Sequence, residues 1–501
     1  MAYPFPIELH LPDGSQLEIQ RHGDEFFNYT TDSQGYIIAQ KSDGFYYYAD
    51  YDNQGKLNIG MHRAGSQVAT RSARVPEINF MQAAQARSSR FEASSNLTRA
   101  NARQAYEGRL KTLVLLVAFE DKAFVSPTAN NDFYRLKNEL GYSDNGATGS
   151  VRDYYRDNSN GVFDPEFVVM GPYNLSKPMS YYGANNDAGN DNDPRRMVIE
   201  AAWLANQEGV DFSEFDEDND GYVDIIYVYY AGHNEAEGGP AASIWPHSWS
   251  VANMDSTSLD GVNLGYYACS SELKGSTGTT MTAIGTACHE YGHTLGLMDM
   301  YDTDGTESGG RSGGLGGLSL MSAGNYNNQS RTPPFLTSEE RWSLGWMTPT
   351  TITTAGEYSL ASIDQNEAYI IHTQNENEYF LLENRQQNKW DAPIKGEGLL
   401  IYHVDKSENM VLGKTAMERW YRNSINVYPQ HQCMDMEEAG GSESRGDAYA
   451  FFPGSSGLYT AFTRTTSPAA MAWSGLPLGK ELYDIRMEGE EILFRVELED
   501  K

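Results

Sequence analysis

The run MTAIGTACHEYGHTLGLMDMYD places His289, Glu290 and His293 within five residues. On a helix, side chains four positions apart lie one above the other on one face, so both imidazoles can hold a single metal ion. Glu290 follows the first imidazole by one position and precedes the second by three. It can take a proton from water at that metal without ligating the metal itself. With 10 histidines in 501 residues, the five-residue pattern arises by chance at roughly the per-cent level or less. Gly296 and Asp299 extend it to HExxHxxGxxD, which lowers the coincidence by about another hundredfold. The glycine is expected to end the helix, and the returning chain brings Asp299 to the ion as a third ligand. A fourth position is then left for water or substrate, as catalytic zinc requires.

Two imidazoles and few ligands favour zinc over another divalent ion. A structural zinc site would have four protein ligands and no use for Glu290 where it stands. The bland alternative is an amphipathic surface helix with two incidental histidines. Downstream, Ser319-Leu320-Met321-Ser322-Ala323-Gly324 puts Met321 in a small-residue turn. Taken alone, Met321 is an ordinary core residue; shortly after a metal helix, its thioether can form an apolar floor beneath the ligands. Cys288 adjoins His289 but points about 100° away on a helix, and is expected to be buried packing.

HEYGHTLGLMDMYD followed by LSLMSAG resembles the immune inhibitor A-like family of secreted zinc metalloendopeptidases. The similarity is to a metzincin with aspartate as third ligand, and it continues through SVRDYYRDNSNGVFDPEF, DIIYVYYAG, IWPHSW, YFLLENRQ and GLLIYHVD, covering most of residues 105–475. It implies His289, His293 and Asp299 as zinc ligands, Glu290 as general base and Met321 as the Met-turn. Met298 stands where that family often has proline, which is expected to alter the turn slightly and leave ligation intact. The opening HGDEFFNYTTDSQGY is similar to the amino-terminal region of relatives, which implies a propeptide or intramolecular chaperone. Because the first cysteine is Cys269, that region has no thiolate with which to block zinc; His22-Gly23-Asp24-Glu25 is the candidate for approaching the metal instead.

A second cation is suggested by Asp216-Glu217-Asp218-Asn219-Asp220-Gly221-Tyr222-Val223-Asp224. Asp216, Asp218 and Asp220, the Tyr222 carbonyl and Asp224, directly or through water, can surround calcium around a glycine turn. Position twelve is Tyr227 in place of glutamate, so this is a weaker DxDxDG-type loop and not a full EF-hand. An acidic turn held by its own hydrogen bonds is the alternative. Asp187, Asp191 and Asp193 read as a solvated loop in preference to a further cation site. Asp302 and Asp304 either bind a cation or order the glycine-rich loop. His233 and His247 are candidates for the substrate cleft, with aromatic packing or exposure the plainer account, and His403 reads as a packed strand histidine.

The elements that must position these groups follow from the pattern. Residues 3–59 alternate apolar and polar between turns, so they read as antiparallel hairpins with Asp13-Gly14 and Asp43-Gly44 at left-handed positions. Residues 76–110, rich in Ala, Arg, Ser and Gln, read as a helical or extended connector. Strands are expected at 112–119 and 222–230, with helices near Asp132–Leu140 and Arg195–Ala205 and Pro194 in the first turn of the latter. Beyond Trp346 short β-type runs return. The fold expected is α+β: a β-rich propeptide-like domain at 1–75, a connector at 76–105, a metzincin-like zinc protease core at 106–346 and a β-rich, sandwich-like domain at 347–501.

A net charge of −32, from 37 basic and 69 acidic side chains, disfavours nucleic acid, whose phosphates repel the same sign. The longest apolar run, TLVLLVAF at 112–119, is far short of a membrane span. Three cysteines are too few for a disulfide framework. MAYPFPIELH has neither a basic n-region nor an apolar h-region, and the native leader of a secreted enzyme is expected to be absent from this chain. The expected partner is a protein or peptide substrate, and a monomer is expected. Two other classes fit less of the pattern: a catalytically silent, cation-braced binding protein, and a zinc hydrolase acting on something other than peptides.

Overall fold

The computed structural model describes residues 1–66, 75–95, 106–186, 190–305, 308–441 and 447–498. Asp187, residues 96–105 of the connector and part of the glycine-rich run lie outside them. The chain forms two compact units, one of Met1–Ala100, Lys111–Asn138 and Glu166–Thr294, the other of Asn101–Leu110, Glu139–Pro165 and Leu295–Lys501.

In the first unit, Ile7–His10, Gln16–Gly23, Asn28–Asp32, Ile37–Gln40, Tyr46–Tyr51 and Leu57–Arg63 form a six-stranded antiparallel meander in sequence order. Gly14 and Gly44 take φ of +83° and +82° at the two turns expected to need them. Period-two alternation turns Leu17, Ile19 and Arg21 inward. The two aliphatic residues join Ile7, Leu9, Ile38 and Tyr46 in one core. Arg21 instead bridges to the loop after residue 230, donating to Glu235 Oε1 at 3.3 Å and to the Gly239 carbonyl at 3.2 Å. The connector is helical over Glu77–Ser95, and its buried Arg87 pairs with buried Asp24.

A five-stranded sheet follows, in the order His247–Ser250, Tyr266–Ser271, Ile226–Tyr230, Lys111–Ala118, Glu166–Asn174. All neighbours are parallel except the edge strand His247–Ser250. Lys111–Ala118 (KTLVLLVA) is buried at every position but the first, as a continuous apolar run on an interior parallel strand must be. Helices cover it at Ala129–Asn138 and Pro194–Gln207, the second capped by the Asp193 side chain with proline in its first turn. The strand expected at 222–230 begins only at Ile226. Residues 223 and 224 are held as loop, Val223 N–H donating to Asn263 and Asp224 N–H to Phe215.

The second unit contains a five-stranded sheet, Thr350–Thr351, Tyr369–His372, Glu378–Arg385, Gly398–Asp405 and Met434–Met436, and a three-stranded one, Gly356–Leu360, Glu491–Leu498 and Lys480–Glu488. One hydrophobic core takes side chains from both, among them Phe380, Leu382, Ile401, Leu482, Ile492 and Phe494. That is the packing of two inner sheet faces.

His403 packs inside this unit as expected, stacked on Phe380 and on Trp473. Nε2 lies 2.9 Å from Glu378 and Nδ1 3.6 Å from Glu437. The two carboxylates outweigh burial and raise its pKa to about 9. A raised histidine stabilises the fold fully below its unfolded pKa near 6.5, and the contribution is lost as pH climbs through 9. His403→Gln is therefore expected to cost about 3 kcal/mol at pH 6 and progressively less toward pH 10. Thermal melts of both proteins across that range check it; a pH-independent difference rejects the charged pair.

Candidate metal centre

His289, Glu290 and His293 lie on the helix Ile284–Thr294, of whose eleven residues ten are buried. A helix enclosed so completely is stabilised by packing more than by propensity, which its two glycines lower. Tyr291 pins it to the sheet: its hydroxyl is 3.0 Å from Thr112 Oγ1, and its ring meets Phe167 edge-on. The helix ends as expected, with Gly296 at φ +101° two residues beyond it.

The two imidazoles face each other across the turn, Nε2 to Nε2 at 3.2 Å. Tetrahedral zinc with Zn–N bonds of 2.0–2.1 Å spans about 3.3 Å between two ligand nitrogens. The pair is therefore spaced for one ion, and a Glu290 carboxylate oxygen lies with both ligand nitrogens inside 4.8 Å. Burial raises the Glu290 pKa, while His289 and His293 pull it down. Polar groups this buried are costly unless something satisfies them. A cation held by His289 and His293 would do so here.

The pattern of residue types did not reveal what lies behind this helix. Lys137 is buried, with Nζ 3.5 Å over the Tyr227 ring and 4.7 Å from that of Phe167. Burial lowers its pKa to about 7. The aromatic faces partly replace lost water for the ammonium. Cys288 is buried, and its thiol is pushed up by burial, in line with packing.

Asp299, in the second unit, is 4% exposed. The next residue, Met300, donates its N–H to the Met321 carbonyl at 2.8 Å. Met321 is fully buried in the expected tight turn, where Ser322 and Gly324 N–H groups donate to the Ser319 carbonyl and Met321 N–H to Ser319 Oγ.

Asp216, Asp218 and Asp220 converge, their carboxylate oxygens within 4.8 Å of one another. Internal hydrogen bonds shape the loop: Asp216 accepts from the N–H groups of Asp220 and Gly221, Asp218 from Asp220, and Asp220 from Tyr222. Asp224 accepts from Glu217 N–H, and burial with the nearby carboxylates raises its pKa to about 7.

Four of the other polar candidates, Asp191, Asp193, Asp302 and His247, have structural work. Asp193 caps a helix and Asp191 accepts from Trp245 N–H. Asp302 accepts from the N–H groups of Asp304, Gly305 and Ser312, ordering the glycine-rich loop. His247 is no cleft residue: it is 2% exposed, and its ring nitrogens meet the Trp245 carbonyl and Tyr267 hydroxyl, each at 2.6 Å. Of the two accounts the sequence left open for His247, packing among aromatic groups is the one its burial on the edge strand supports. No helix among the described residues is long and apolar enough to cross a membrane.

Residues 102–342 match the family model described as the catalytic domain of immune inhibitor A peptidase M6. The chain is 29% identical over 218 residues to the pre-pro-metalloprotease PrtV of Vibrio cholerae serotype O1, an alignment taking in 38% of this chain and 23% of that protein. It is 27% identical over 263 residues to immune inhibitor A of Bacillus thuringiensis subsp. alesti, over 44% of this chain and 38% of the relative. The chain thus spans well under half the length of the curated relatives it matches.

Proposed function

We propose, from the premise that residues 102–342 are a metzincin-like catalytic domain of the immune inhibitor A peptidase M6 family, that this chain is a secreted zinc endopeptidase. The observation that carries the reading is the buried helix on which two imidazole nitrogens stand 3.2 Å apart beside Glu290. His289 and His293 hold the ion, Asp299 completes the ligand set, and Met321 lies in the supporting turn. Zinc bound there supplies Lewis-acid chemistry, polarising the scissile carbonyl and acidifying water. Glu290 takes the proton from the attacking water and passes it to the leaving amine, so one carboxylate serves as base and then as acid. The substrate is a peptide bond inside a protein or peptide, and residues 1–75 are a propeptide-like domain.

Zinc stoichiometry together with mass-spectrometric mapping of cleavage products from a broad peptide library tests this. One zinc per chain with internal cleavage is expected. Metal without hydrolysis favours a silent binding protein. Activity restricted to esters or acylated sugars favours a non-peptidase hydrolase.

The acidic loop is proposed as a structural calcium site formed by Asp216, Asp218, Asp220, the Tyr222 carbonyl and Asp224. The convergence of three carboxylates, and the raised Asp224, support it, because a divalent cation relieves the repulsion that burial and crowding create. Saturating calcium at about a hundred times its dissociation constant is expected to stabilise the zinc-loaded protein by about 2.7 kcal/mol. The Asp216→Ala/Asp220→Ala variant is expected to lose that gain. Calorimetric melts across a calcium titration check it, and equal calcium responses in both proteins reject the site.

A further inference from the structure

Asp299 is gripped at both ends by one side chain from far along the chain. Asn423 Oδ1 accepts from the Asp299 backbone N–H at 2.6 Å, and Asn423 Nδ2 donates to Asp299 Oδ2 at 2.5 Å. A single planar amide bound to both the main chain and the carboxylate of one residue fixes the side-chain rotamer and the plane of the carboxylate. It also commits Oδ2.

The amide is itself held. Asn423 is 2% exposed, and its own carbonyl accepts from Thr303 Oγ1 at 3.0 Å. Its φ of +51° lies in the left-handed region, where asparagine is favoured over most side chains. Nearby, Asn426 Nδ2 donates to the Met300 carbonyl at 3.1 Å while its Oδ1 accepts from Met434 N–H at 3.0 Å. The Asp299–Met300 segment therefore runs between the Met321 turn on one side and two asparagines on the other. Both asparagines lie beyond residue 342, where the family match ends.

We propose that Asn423 is a positioning residue for the zinc centre, holding Asp299 in the orientation in which it ligates the metal. This rests on the function proposed above and adds to it. The carboxy-terminal region is then part of the metal centre's outer support. Metal-ligating carboxylates depend on such hydrogen-bonding partners, whose loss costs about 10- to 100-fold in metal affinity or activity.

The test uses the full chain and three variants. Asn423→Gly removes the amide and relaxes at positive φ. Asn423→Asp keeps the size and tolerates the same backbone, but sets an oxygen in place of the donor that faces Asp299. Thr303→Ala loosens the same segment without touching Asp299. Zinc dissociation constants come from competition with a chromophoric chelator, alongside the melting temperature of the zinc-free protein and separate kcat and KM values. Both Asn423 variants are expected to bind zinc about 10- to 100-fold more weakly, Asn423→Asp the more so, with lower kcat and little change in KM. Thr303→Ala is expected to melt earlier yet keep its zinc affinity.

Zinc affinity of Asn423→Gly within about twofold of wild type overturns the positioning role, as does an equal affinity loss in Thr303→Ala. If Asn423→Gly does not fold, the affinity of Asn423→Asp decides by the same criterion. A wild-type chain that binds no zinc overturns the proposed function itself. Tight zinc in wild type and in the Asn423 variants overturns this inference alone.

Discussion

Glu290→Gln is expected to fold, to bind zinc as tightly as wild type, and to lose at least about a thousandfold in kcat/KM on peptide substrates, or about 4 kcal/mol of transition-state stabilisation. Glutamine matches glutamate in shape and still accepts a hydrogen bond through its carbonyl oxygen. It cannot take a proton from water at neutral pH. Stability should not suffer, because Glu290 is 4% exposed and burial already disfavours its charged form. A neutral amide costs less to bury than a carboxylate. The measurement is single-turnover cleavage by protein whose zinc content and melting temperature have been established. Wild-type turnover in a folded, zinc-loaded variant would falsify the assignment of Glu290 as base. Loss of zinc together with activity would instead make Glu290 a ligand.

Arg385→Met is expected to destabilise the second unit by about 3–5 kcal/mol, without any contact with the reacting groups. Arg385 is fully buried. Its Nε and one terminal nitrogen form parallel bonds to Asp391, each 2.6 Å, and the other terminal nitrogen donates to Glu383 at 2.9 Å. The remaining donor capacity goes to the Leu318 and Phe335 carbonyls, so strand Glu378–Arg385 is tied to both sides of the Met321 turn. Methionine fills much of the volume but strands two buried carboxylates, and uncompensated buried charge makes such a break expensive. At about 2–4 °C per kcal/mol for a unit of this size, the transition should fall by roughly 10 °C. Arg385→Lys should recover only part, since an ammonium cannot reproduce the parallel pair on Asp391. A melting temperature within a degree or so of wild type would sink this account of the network.

The candidate site was legible where its residues are close in sequence. The 3.6-residue period alone brings His289 and His293 to one face, and a positive-φ glycine after the helix needs only local sterics. The same holds for the Asp-Gly hairpins, the Asp193 cap ahead of Pro194, and the apolar run of Lys111–Ala118. Each rests on interactions within a few residues, where backbone geometry leaves few alternatives.

Expectations failed or fell silent where partners are distant. IWPHSW left a packed and a cleft account of His247 side by side, because it does not reveal that Tyr267 will consume one ring nitrogen. The start of strand Ile226–Tyr230 was placed four residues early because Val223 is claimed by Asn263. Lys137 gave no sign that it would lie under the rings of Tyr227 and Phe167, nor Asn423 that it would grip Asp299 across 124 positions. By itself the sequence determined the candidate metal-binding turn, the carboxylate that stands beside its two imidazoles and much of the order of the elements, because short-range spacing and period are enforced by covalent geometry. Only the tertiary structure decided which buried polar groups meet, because desolvated donors and acceptors must be satisfied wherever close packing happens to bring partners together.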